Sequence, residues 1–116
     1  MRYLCLIYSD EKLWETMPKS EMEAIMGEYN AFTASIRESG HFLAGEPLQP
    51  TGTATTVRVR NGKLSATDGP FAETKEQLGG YYQIEARDLN EAIQIAARIP
   101  SSKHGSIEVR PIQEFM

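Results

Sequence analysis

The densest run of ionisable side chains is Asp68-Gly69-Pro70-Phe71-Ala72-Glu73-Thr74-Lys75-Glu76-Gln77. Asp at the start of a turn can accept hydrogen bonds from backbone N–H groups one turn later. Gly69 reaches backbone angles closed to other residues, and Pro70 fixes its own φ while restricting Gly69. The segment is therefore expected to make one specific bend, with Phe71 inserted as an anchor. If the bend faces a cleft, Asp68 or Glu73 can serve as general base while Lys75 holds an anion or oxyanion. A small anionic metabolite, such as an organic acid, suits that arrangement. Gly69, Pro70, Phe71, Lys75, Tyr81 and Arg110 would frame it. The competing reading is a solvated loop whose Asp and Gly serve turn geometry alone.

His41 is the other acid/base candidate, because a neutral imidazole titrates close to physiological pH. It falls just past a helix end, where a surface or interface histidine is equally natural. One cysteine and two distant histidines provide no metal-ligand spacing, so neither a metal nor any other cofactor is expected. Cys5 sits among apolar neighbours, where a thiol is inert packing. Gly79-Gly80 lacks the Lys and Ser/Thr of a phosphate-cradling loop.

These groups must be positioned by a scaffold that 116 residues, 41% of them hydrophobic, can supply with one core but hardly two. A single domain is expected over 1–116. Arg2 to Tyr8 reads as a central strand, apolar on both faces. Asp10 to Pro18 reads as a loop holding Trp14, which packs or closes a pocket. Ser20 and Glu23 form a capping box ahead of an amphipathic helix carrying Met22, Ile25, Met26, Tyr29, Phe32 and Ile36 and ended by Gly40. His41 to Ala44 is a short strand closed by a Gly45-Glu46-Pro47 break.

Asn61-Gly62 is the strongest two-residue hairpin signal, pairing Ala54–Arg60 with Lys63–Thr67 in a register that sets Val59 against Leu64. Arg58, Arg60 and Lys63 share the outer face, either receiving an acidic partner or keeping an exposed strand from pairing. Tyr81 to Arg87 is the next strand. Asp88 and Glu91 cap a short helix halted at Pro100, and Ser106 to Ile112 is the last strand.

The order suits an α+β, ferredoxin-like fold, an antiparallel sheet with two helices on one face. The other face, with Tyr81, Gln83, Glu85, Glu108 and Arg110, is too amphipathic for a dry core, so a two-fold homodimer is expected to close a cavity over it. Sixteen Asp plus Glu against twelve Lys plus Arg leave a net charge of −4, which argues against direct nucleic-acid binding. The lone cysteine fits a reducing cytoplasm, and no N-terminal apolar run is long enough for a membrane span.

The run Thr67 to Tyr82, together with Tyr3 to Tyr8, Ala44-Gly45-Glu46, Ala54 to Arg58, Ala97 to Pro100 and Glu108 to Pro111, resembles the DGPF proteins of the YCII-related superfamily. The resemblance implies a dimeric α+β barrel of ferredoxin-like halves. Related members carry a histidine in the first helix and an aspartate before a proline after the second. Here the first helix has no histidine and Ile99 precedes Pro100, so that pair does not transfer, and any catalysis moves to Asp68 and its loop. A few distant relatives degrade chlorinated aromatic breakdown products, so the resemblance also implies chemistry on a small acid. Association of DGPF domains with sigma-70-type factors implies the alternative, a regulatory module binding a sigma factor.

Overall fold

The computed structural model describes residues 1–115. Its strands are β1 (Arg2–Ser9), β2 (Phe42–Pro47), β3 (Thr55–Arg60), β4 (Lys63–Asp68), β5 (Gln77–Glu85) and β6 (Ser106–Pro111). The helices are α1 (Glu11–Thr16), α2 (Lys19–Glu38) and α3 (Leu89–Ala97), with short 3-10 turns at Thr51–Thr53 and Pro100–Lys103. Strands β2-β5-β1-β6 form an antiparallel sheet, and β3 and β4 form a separate hairpin. This is the ferredoxin-like α+β arrangement, with a third short helix that the sequence reading had as loop.

Alternation along β1 sends Tyr3, Cys5 and Ile7 into the core and leaves Leu4, Leu6 and Tyr8 half-buried on the open face. Helices α2 and α3 cover the first face with Phe32, Ile36, Ala92, Ile95 and Ala96. Tyr82 sits at the centre of that layer, edge-on to Phe32 at 5.2 Å, with its hydroxyl 2.7 Å from Thr33 Oγ1. Burial raises the Cys5 thiol to about 11, so it stays protonated and unreactive near neutral pH.

Local signals are obeyed where they are self-contained. Gly40 has φ +81°, and the N–H groups of Gly40 and His41 donate to the carbonyls of Arg37 and Ile36, which closes α2. Asp88 accepts from the Glu91 N–H while Glu91 accepts from the Arg87 N–H, a reciprocal cap on α3. Asn61 and Gly62 both have positive φ, and the register is Arg60–Lys63, Val59–Leu64 and Val57–Ala66 as expected.

Other expectations need correction. Helix α2 starts at Lys19 after Pro18, so Ser20 lies inside it and makes no cap. Strand β2 runs through Gly45 to Pro47 rather than breaking there, because β5 pairs along its length. Gly45 is required by close approach: a Cβ there would meet Tyr82 Cδ1 at 2.7 Å. Strand β5 begins at Gln77, so Gly79-Gly80 lies within it, beside a bulge opposite Ile7 and Tyr8.

Candidate functional site

The β1–β5 ladder sets Ser9 opposite Gln77. The segment leaving β1 and the segment entering β5 therefore run side by side at one end of the sheet. Asp10 caps α1 by accepting from the Lys12 N–H at 3.0 Å. The Glu11 N–H donates to Gln77 Oε1 at 2.9 Å, and the Glu11 carboxylate accepts from the Thr51 N–H at 2.7 Å and from Thr51 Oγ1 at 3.0 Å. Gln77 in turn donates from Nε2 to the Thr74 carbonyl at 2.6 Å. Three segments distant in sequence are thus tied by two side chains. The indole N–H of Trp14 donates to the buried Ser9 hydroxyl at 3.0 Å, which seats α1 against the sheet.

These ties enclose a cleft of about 200 Å³ lined by Asp10, Glu11, Lys12, Glu15 and Thr51 on one side and by Pro70, Ala72, Glu73, Thr74 and Gln77 on the other. Glu11 is occupied with Thr51, so it is scaffold. Glu73 has no hydrogen-bonding partner among the described residues and leaves a carboxylate available to a ligand. The chain reading found the 70–74 wall but missed α1. A six-residue helix carries too little periodicity to stand out, and Asp10 as N-cap was its one visible signal.

The structure brings only some of the expected site residues together. Pro70 and Glu73 line the cleft. Gly69, at φ +102°, makes the bend through its main chain, donating to the Ala54 carbonyl at 2.7 Å and accepting from Thr56 Oγ1 at 2.8 Å. Asp68 ends β4 opposite Thr55, exposed to solvent, and its carboxylate does not hold the turn. Phe71 is 80% exposed and anchors nothing among the described residues, because the bend turns it outward. Lys75 is exposed outside the cleft lining.

Tyr81 is half-buried on the open face, opposite Leu6 and Glu46, and Arg110 pairs with Glu108 at 2.6 Å on that same face. His41 lies at the far end of the sheet, where its carbonyl accepts from the Glu85 N–H. Nine residues of β5 separate it from the cleft, roughly 26 Å of strand. It cannot join Glu73 within one chain.

His41 belongs instead to a polar tie at the α3 N-terminus. Its Nδ1 is 2.6 Å from Ser39 Oγ and its Nε2 is 3.3 Å from Glu91 Oε1. Glu91 also meets Arg87 at 3.1 Å. The Arg87 backbone N–H, then the Arg87 and His41 charges, hold the Glu91 carboxyl below the usual carboxylate range. A depressed carboxylate contributes stability that is complete above its unfolded value and lost as pH falls through the folded one. Glu91→Gln is therefore expected to lower the melting temperature near neutrality, where that contribution is complete, and to change it least near pH 3, so that the decline below about pH 4.5, the ordinary value, is flatter. Parallel thermal melts from pH 3 to 7 on the order of one unit apart check this.

Among the described residues, no group of three or more His, Cys, Asp or Glu is placed to hold a metal. No helix there is long and apolar enough to cross a membrane.

Comparisons with known proteins agree with this fold. An uncharacterised protein of Rhizobium meliloti (strain 1021) is 39% identical over 114 residues, covering 97% of this chain and 92% of that one. Among solved structures, the 5-chloro-2-hydroxyhydroquinone dehydrochlorinase TftG of Burkholderia phenoliruptrix AC1100, in complex with 2,5-dihydroxybenzoquinone, superposes with a TM-score of 0.54 at 16% identity. That likeness covers 99% of this chain and 96% of the other, and at such identity it speaks for the fold. The family model of the YCII-related domain matches residues 1–116, end to end, and with a relative at this identity the chain belongs to the YCII-related domain family.

Proposed function

We propose that the chain binds a small, neutral, hydroxyl-bearing organic molecule in the cleft between α1 and the 70–74 wall, with Glu73 accepting the ligand's hydroxyl proton. The lining carries the argument: four carboxylates, Asp10, Glu11, Glu15 and Glu73, face one ammonium, Lys12. Such a surplus of acceptors repels an anion and favours a ligand that donates hydrogen bonds. The organic acid suggested by Lys75 and Arg110 is thereby displaced as the favoured ligand class. The volume of about 200 Å³ is below the ~300–1,000 Å³ usual for larger ligands, so the occupant is small. Pro70 and Ala72 supply its apolar wall. A positioned carboxylate beside a hydroxyl is the minimum arrangement for general-base chemistry.

The test is a thermal-shift comparison of catechol, hydroquinone and glycerol against malonate and succinate. A hydroxylated probe is expected to raise the melting temperature, and Glu73→Gln to weaken its binding by on the order of tenfold, the loss of one charge-assisted hydrogen bond. Stabilisation by the dicarboxylates alone, or unchanged affinity in Glu73→Gln, would sink the reading. No observation favours the sigma-factor module over it.

The same reading includes a homodimer. Leu4, Leu6, Tyr8, Tyr81 and Gln83 form a half-buried sheet face that no helix or strand among the described residues covers. The molecule measures 48 × 47 × 19 Å, with a radius of gyration of 16.2 Å against roughly 13 Å for a compact domain this long. A second copy stacked sheet on sheet would bury that face. Light scattering at micromolar concentration is expected to return twice the chain mass.

A further inference from the structure

The β3–β4 arm is an unusual object to leave in water. Among the described residues its strands pair with each other and with no other strand. Its inner face shows Val57 at 61% exposure, Val59 at 59% and Leu64 at 72%. An isolated two-stranded hairpin is marginal at best, and an aligned apolar row is costly to expose. The chain also has a concave apolar surface with nothing in it: a groove of about 260 Å³ between α3 and β6, lined by Ile93, Ala96, Ala97, Ser102, Ile107 and Val109.

Arm and groove do not meet within one chain, since Val57, Val59 and Leu64 stay exposed. The arm leaves the sheet where β2 ends and β5 begins, and β2 and β6 are opposite edges of the sheet. A two-fold axis parallel to the strands, with the open faces stacked, changes this. It lays the β2 edge of one chain over the β6 edge of the other and keeps strand ends at the same level. Pro47 pairs with Gly80 near the start of β5, and Ser106 pairs with Tyr8 at the end of β1. The arm's root and the Ser102–Ile107 end of the groove therefore share one end of the molecule.

Charge agrees with a second copy as the occupant. Residues 55–67 carry Arg58, Arg60 and Lys63 and no carboxylate, while the remainder of the chain is strongly acidic. A cationic arm is repelled by its own kind and attracted to the body of its partner.

We infer that the β3–β4 arm clasps a second copy of the chain, seating Val57, Val59 and Leu64 in the partner's α3–β6 groove. The inference rests on the homodimer proposed above and goes beyond it, since sheet stacking alone does not require the arm. Reciprocal exchange of two arms orders both hairpins. Each hairpin then holds its own Gly69 bend, and so one wall of its own cleft, against the partner. The dimer is in this way coupled to the ligand site.

Three measurements on the full chain separate the claims. Light scattering of the unaltered protein reads the dimer, and a monomer overturns both readings. Amide hydrogen exchange then reads the arm. Protection of residues 57–66 is expected, and a dimer whose arm amides exchange at unprotected rates overturns the clasp while leaving the stacked sheets. Finally, chains carrying Leu64→Cys are mixed with chains carrying Ile93→Cys under oxidising conditions, Cys5 being buried and protonated. A disulfide-linked pair that forms only in the mixture is expected. Its absence, or linkage within Leu64→Cys chains alone, overturns the proposed groove. Leu64→Asp, at an exposed position that the sheet does not need, is expected to raise the dimer dissociation constant by on the order of tenfold to a hundredfold.

Discussion

Gly105→Ala is expected to lower stability by about 3 kcal/mol, near the top of the range for forcing atoms into a packed site, and the melting temperature by roughly 10 °C. Gly105 ends the turn before β6, with its N–H donating to the Ser101 carbonyl at 2.9 Å. A Cβ there would fall on the main-chain oxygen of Tyr8 and within 3.0 Å of Ser9 Cα. Neither atom can yield cheaply, because Tyr8 pairs with both Ser106 and Leu78 in the sheet. The strain also falls beside Ser9, which receives the Trp14 indole, so α1 and one wall of the cleft should loosen with it. Gly27→Ala is the matched control. It lies inside α2 with nothing within 4 Å of the added methyl, and should gain about 0.5–1 kcal/mol from helix propensity. Equal melting temperatures for the two variants would refute the steric account.

Ile84→Ala is expected to cost about 3–4 kcal/mol, a large share of the ~5–15 kcal/mol that holds a domain of this kind together. Ile84 is fully buried in β5, between Tyr3 on β1 and Phe42 on β2, in the layer shared with Phe32, Ile36 and Tyr82. Removing its three outer carbons leaves a hole at the junction of two aromatic contacts and a strand ladder, where collapse is difficult. Denaturant titration should show a lower midpoint with an unchanged slope. Leu6→Ala, on the opposite face, provides the contrast. It is half-buried in the single chain, so on the proposed homodimer its effect is expected chiefly as dimer dissociation rather than as loss of the fold. If Leu6→Ala destabilised as much as Ile84→Ala at protein concentrations where only monomer is present, the open face would be misassigned.

Much of the architecture is legible in the chain because it is decided within a few residues. Asn61-Gly62 adopts positive φ at both positions and thereby sets every cross-strand pair of the hairpin. Gly40 ends α2 in the left-handed conformation, and Asp88 with Glu91 starts α3. Where local evidence misleads, a distant partner has overridden it. Gly45-Glu46-Pro47 looks like a break, but β5 supplies the ladder that continues the strand, and the glycine is there to admit the Tyr82 ring. Gly79-Gly80 looks like a linker and is instead the bulged entry to β5.

The site divides along the same line. The bend at Gly69 and the chemistry of Glu73 follow from residue type, since a positive φ and a free carboxylate are properties of single positions. That Asp10 to Glu15 forms the facing wall depends on Ser9 standing opposite Gln77, a contact between segments nearly seventy residues apart in order. So does the exclusion of His41, which the length of β5 holds at the other end of the sheet. The chain alone determined the hairpin turn, the end of α2 at Gly40, the start of α3 at Asp88, alternation and the inventory of reactive groups, because each is settled by neighbours along the backbone. Only the folded sheet decided which of those groups share a cavity, because strand pairing, and not proximity in sequence, sets the distances between them.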